Sequence, residues 1–99
     1  MNIKIHSVRF DADKKLLDFV DQKVRKLDQF NDQILGAEVF LRLSRSGSAE
    51  NKVAEIKIEI PVNPLFAKKQ SRSFEEAVDL TIDALKKQIT KQKDKLRGQ

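Results

Sequence analysis

Polar and apolar positions alternate from Asn2 to Arg9, with Ile3 and Ile5 on one face and Lys4 and His6 on the other, so the chain opens as a half-buried strand. The period then changes. Leu16, Val20, Val24 and Leu27 recur every three or four residues, which predicts a helix reaching about Phe30, capped by Asp11 or Asp13, with Lys14, Asp18, Asp21 and Arg25 outside its apolar stripe. Asn31, Asp32 and Gly36 end it. Ala37, Val39, Leu41 and Leu43 alternate with Glu38, Phe40 and Arg42. Beyond the polar turn Ser46-Gly47-Ser48-Ala49-Glu50-Asn51, Ile56, Ile58 and Ile60 alternate with Glu55, Lys57 and Glu59. These two runs predict a hairpin with one solvated face.

Pro61 and Pro64 bracket a strand break, because proline donates no ladder hydrogen bond and restricts the residue before it. A short fourth strand is expected from Leu65 to Gln70. Ser73-Phe74-Glu75-Glu76 then has the spacing of a capping box, in which hydroxyl and carboxylate each serve the other residue's amide. The helix it starts carries Phe74, Val78, Ile82, Leu85 and Ile89 on one side, a pattern that continues to Leu96.

The order β-α-β-β-β-α restricts the topology. Strands one and two joined through a helix make a right-handed parallel crossover, and the later strands are close enough in sequence to pair antiparallel. Both helices need the same apolar sheet face. The expectation is a two-layer α+β fold, a four-stranded mixed sheet with two helices on one face and the other face wet. A chain of 99 residues has room for one modest core, so residues 1–99 are expected to form a single domain.

Composition removes several function classes. Without cysteine there is no disulfide framework, thiolate metal site or cysteine nucleophile. No apolar run suits a signal peptide or a membrane span, and a cytoplasmic protein is expected. The motifs GxxxxGK[ST], GxGxxG and HExxH are absent, and His6, the one histidine, stands on the polar face of a strand with no nucleophile motif near it. No catalysis, cofactor, metal or small-molecule substrate is expected.

Charge does discriminate. From Ala84 to Gln99, Lys86, Lys87, Lys91, Lys93, Lys95 and Arg97 face the single acid Asp94, a net of +5 that equals the formal charge of the whole chain. Basic residues at a helix C-terminus complement the helix dipole, but that effect fades beyond the last turn, and this excess runs over roughly three turns. At about 100° per residue, Lys87, Lys91 and Lys95 form one row, and Lys86, Lys93 and Arg97 another on the far flank of the apolar stripe. The first helix adds Lys23, Arg25 and Lys26 near its own C-terminus. Helices lying side by side and parallel would merge these ends into one surface for a polyanion. With no Trp or Tyr, and with core or edge packing the expected place of Phe40 and Phe66, that surface suits phosphates and folded RNA better than base stacking.

The segment from Lys26 to Ile34, and above all Phe74-Glu75-Glu76-Ala77-Val78-Asp79 leading into Ile82 to Leu96, resembles the ribosome hibernation-promoting factor and ribosome-associated inhibitor A family. The likeness runs along essentially the whole chain. It implies a double-stranded-RNA-binding-like fold and binding to the small ribosomal subunit where mRNA and tRNA would lie, silencing translation in stationary or starved cells. It also makes Lys23, Lys26, Lys87 and Lys91 basic family positions. Glu75 departs from the pattern, since many relatives carry tyrosine there, and no role of that aromatic transfers. The chain is similar to the family's short form, which lacks the C-terminal dimerisation domain and relies on a separate ribosome modulation factor to pair ribosomes.

The expectation is therefore a non-enzymatic ribosome-binding domain, monomeric when free. Lys23, Lys26, Lys86, Lys87, Lys91, Lys93, Lys95 and Arg97 are expected to bind rRNA phosphates. A general structured-RNA chaperone using the same surface is the alternative, and a protein-interaction module presenting Phe40, Phe66 or a sheet edge is a third.

Overall fold

The structure, a computed structural model, describes residues 1–45 and 47–97, and of 93–97 it describes the helical backbone alone. Strands β1 (Asn2–Val8), β2 (Gly36–Leu43), β3 (Lys52–Glu59) and β4 (Leu65–Ser71) form one sheet in the order β1-β2-β3-β4. β1 pairs parallel with β2, and the other two pairings are antiparallel. Helices α1 (Lys14–Arg25) and α2 (Phe74–Arg97) complete the order β-α-β-β-β-α expected from the periodicity.

Register explains why one face is dry. Ile5, Val39, Ile56 and Ala67 align across the four strands, and all but the partly buried Ile5 are buried, with Leu41, Ile58 and Leu65 beside them. Leu16, Val20, Val24 and Leu27 from the first helical segment, and Phe74, Val78, Ile82, Leu85 and Ile89 from α2, join the same core. Full burial of such a side chain stabilises the fold by about 1.5–3 kcal/mol, enough for this stripe to decide which way each helix faces. Thr81, also buried, donates its hydroxyl to the Ala77 carbonyl at 2.7 Å and so leaves no orphan polar atom.

Local signals hold at the helix starts. Asp13 is the α1 cap, its Oδ1 accepting from the Leu16 amide at 2.8 Å. The Ser73 hydroxyl accepts from the Glu76 amide at 3.1 Å, so one arm of the capping box is present. The reciprocal bond from the Ser73 amide to the Glu76 carboxylate is not made among the described residues. The expected single helix to Phe30 is corrected: α geometry stops at Arg25 and tightens to a 3-10 turn over Lys26–Gln29, closed by the Phe30 and Asn31 amides on the Leu27 carbonyl. Leu27 stays fully buried through that change.

Phe40 and Phe66 are also corrected. Alternation puts both on the open face of the sheet: Phe40 stacks on His6 with ring centroids 4.8 Å apart, and Phe66 is more than half exposed. Core places on these strands are already taken by their neighbours Val39, Leu41, Leu65 and Ala67. Gly36 is required where it stands. A Cβ there would lie 2.7 Å from the Asn2 carbonyl oxygen, too close for the β1–β2 pairing that brings the end of the crossover back to the sheet.

Candidate nucleic-acid interface

α1 and α2 run in the same sense along the sheet. Phe10, ahead of α1, stacks on Phe74 at the start of α2 with centroids 4.8 Å apart. Further along, Lys23 reaches Asp79, and beyond the 3-10 turn Phe30 lies under Lys86. Both helical segments therefore run toward the same end of the molecule, and the end of the first lies beside Lys86, midway along α2.

That surface has a neutralised part and a free part. Lys23 Nζ is 3.2 Å from Asp79 Oδ1 and 5.5 Å from the Phe19 ring centroid, so its charge ties α1 to α2. Arg25 donates to Asp21 at 2.7 Å, and this hydrogen bond, with the carboxylate's charge, raises the guanidinium pKa above its ordinary value. Exposed pairs of this kind add little stability, but they cancel two positive charges locally. Lys26, Lys87 and Lys91 are exposed and have no carboxylate in ion-pair reach among the described residues. Lys86, half-buried, holds its ammonium 5.3 Å from the Phe30 centroid, an interaction of about 0.5–1 kcal/mol that orders the side chain without removing its charge.

The free lysines sit on a braced element. Lys86, Lys87, Gln88, Thr90 and Lys91 line an open groove on α2. Gln88 donates to the Phe66 carbonyl at 3.0 Å and Gln92 to the Asn63 carbonyl at 3.2 Å, so the helix is clamped onto β4 and the turn before it. Asn63 has φ 56°, a left-handed value that asparagine tolerates better than most residues. Neither glutamine stood out in the sequence, where a polar side chain beside lysines carries no mark of an anchoring role. Lys93, Lys95 and Arg97 continue the helix, but their side chains lie outside the described residues.

His6 Nε2 is 2.9 Å from Glu38 Oε2 on the open face, an exposed pair. No group of three or more His, Cys, Asp and Glu among the described residues is placed to hold a metal ion, and no described helix is long and apolar enough to cross a membrane.

Comparison with known proteins agrees with the fold. The family model described as sigma 54 modulation protein / S30EA ribosomal protein matches residues 3–97. The ribosome hibernation promoting factor of Klebsiella oxytoca is 30% identical over 97 residues, spanning 98% of this chain and 96% of that protein. The ribosome hibernation promotion factor of Bacillus subtilis is 29% identical over 98 residues, spanning 97% of this chain and 50% of that protein. Among solved structures, the N-terminal domain of Thermus thermophilus Protein Y superposes with a TM-score of 0.78 at 27% identity, covering 92% of this chain and 98% of that domain.

Proposed function

The chain belongs to the sigma 54 modulation protein / S30EA ribosomal protein family, and from that membership we propose that it is a ribosome hibernation factor acting on the small subunit. It binds rRNA phosphates through Lys26, Lys86, Lys87 and Lys91, continued along α2 by Lys93, Lys95 and Arg97. Lys23 serves mainly as the clasp between the helices through Asp79. The body of the domain then occupies space that mRNA and tRNA need, and translation stops without any chemical step. The observation that carries this reading is the run of lysines, without an ion-pair partner among the described residues, on a helix fixed to the sheet beside the end of the first helical segment. The names borne by the relatives from Klebsiella oxytoca and Bacillus subtilis point the same way.

Binding by point-charge lysines on a rigid helix is sequence-independent and salt-sensitive, since each ammonium displaces counterions from a phosphate backbone. The test is occupancy of small subunits by labelled protein with and without a saturating mRNA–tRNA complex. The proposal expects occupancy to fall when the complex is present, and expects added protein to inhibit a cell-free translation reaction. Unchanged occupancy would refute the blocking mechanism, and equal affinity for any RNA hairpin would favour a general RNA chaperone.

A further inference from the structure

At the other end of the sheet, three of the chain's six arginines converge. Val8, Arg9, Arg42, Leu43, Ser44 and Arg45 line an open concavity of about 560 Å³ at the end of β1 and the start of the β2–β3 loop. The parallel register makes this possible, because Val8 faces Arg42 and so brings the residues following β1 beside those ending β2. β1 separates the concavity from the lysine surface by about 20 Å at ~3.3 Å per residue, since Arg25 at the far end reaches the Met1 carbonyl.

Two observations set this cluster apart from scattered surface charge. Among the described residues no acidic side chain lines the concavity and neither Arg9 nor Arg45 has a carboxylate in ion-pair reach; only Arg42 is shared, with Glu55. In addition, Arg9 has φ 65°, a left-handed conformation in which its Cβ crowds the backbone and for which glycine or asparagine would be the ordinary choice. An arginine held at a steric cost, pointing to no internal partner, is a residue kept for its side chain. The chemistry also differs from that of α2. A guanidinium fork meets phosphate oxygens in a bidentate way, whereas an ammonium is a point charge. Val8 and Leu43, 38% and 47% exposed, line the concavity and offer apolar surface against which a base or ribose can rest.

We infer that the Arg9, Arg42 and Arg45 concavity is a second RNA site, which takes a phosphodiester of a single-stranded segment in its guanidinium forks with the adjoining nucleoside on Val8 and Leu43. The inference rests on the chain being an RNA binder but not on the ribosomal site proposed for the lysines. With one site at each end of β1, a single molecule bridges two RNA segments, and shape is read by their separation.

The experiment is a titration of isotope-labelled protein with a short oligouridylate, followed by amide chemical shifts, with inorganic phosphate and oligoglutamate as comparison probes. Saturable shifts are expected at Arg9, Phe10, Leu43 and Arg45, and they should persist in the Lys87→Glu, Lys91→Glu double variant. Arg45→Gln should weaken that response roughly tenfold or more, as loss of a charged hydrogen bond does. Arg9→Gly should weaken it likewise while the melting temperature stays level or rises, because the left-handed strain is relieved. Silence at these amides would overturn the inference, as would an equal response to oligoglutamate, or a fall in melting temperature for Arg9→Gly with binding unchanged. Loss of small-subunit occupancy in the double variant with the concavity still responding separates the fate of this site from that of the lysine surface.

Discussion

The open face of the sheet and the helical end both carry many charges, yet only one of them presents a field. On the open face, His6 meets Glu38, Arg42 meets Glu55, and Lys68 lies 4.0 Å from the same Glu55 carboxylate, so basic and acidic side chains largely cancel within the pleat. At the helical end, Lys23 and Arg25 are cancelled in the same manner by Asp79 and Asp21, while Lys26, Lys86, Lys87 and Lys91 are not. The lesson is that the number of lysines marks neither region as an interface. What distinguishes them is the excess left after short-range pairing, because only an unpaired excess leaves a net field to attract a polyanion within the screening length of roughly 8–10 Å.

Charge reversal should break the symmetry between the regions most sharply. Lys87→Glu with Lys91→Glu is expected to lower small-subunit affinity by about a hundredfold or more, with an unchanged circular dichroism spectrum and melting temperature. Lys57→Glu with Lys68→Glu on the open face should change affinity by less than about threefold, within the range of surface substitutions away from an interface. Co-sedimentation with small subunits measures both, and equal losses would show that the open face also touches RNA.

Substitutions beneath the helical end should act through stability instead. Leu27→Ala removes a fully buried side chain at the 3-10 turn that carries Lys26, and a loss of about 2–5 kcal/mol is expected in denaturant unfolding. Gly36→Ala forces a Cβ against the Asn2 carbonyl and should cost about 1–3 kcal/mol in the same measurement. Neither should alter intrinsic affinity once the protein is folded. On the open face, Glu55→Gln should cost no more than about 1 kcal/mol, as partly exposed ion pairs do.

Much of this arrangement was legible in the sequence, because it depends on local period. The strands, both helix starts, the Asp13 cap, one arm of the Ser73 capping box and the rows of lysine on α2 all follow from spacings of two, three and four residues. What was not legible depends on pairing between distant segments. That Lys23 is spent on Asp79 requires knowing that α1 and α2 lie parallel and in contact. The residue type of Phe40 and Phe66 suggests core or edge packing, while their alternation with Val39, Leu41, Leu65 and Ala67 assigns them outward. The convergence of Arg9 with Arg42 and Arg45 appears only once β1 and β2 are in parallel register, and the left-handed turn at Arg9 leaves no trace in composition.

The central claim, that unpaired lysines on α2 bind phosphates, is tested most directly by the salt dependence of small-subunit affinity for the natural protein and for Lys87→Gln with Lys91→Gln. The account predicts that log affinity falls with log salt at a slope of minus several, and that the two substitutions flatten it by roughly 0.7–0.9 for each lysine removed. A slope near zero, or a steep slope that the substitutions leave unchanged, would contradict it.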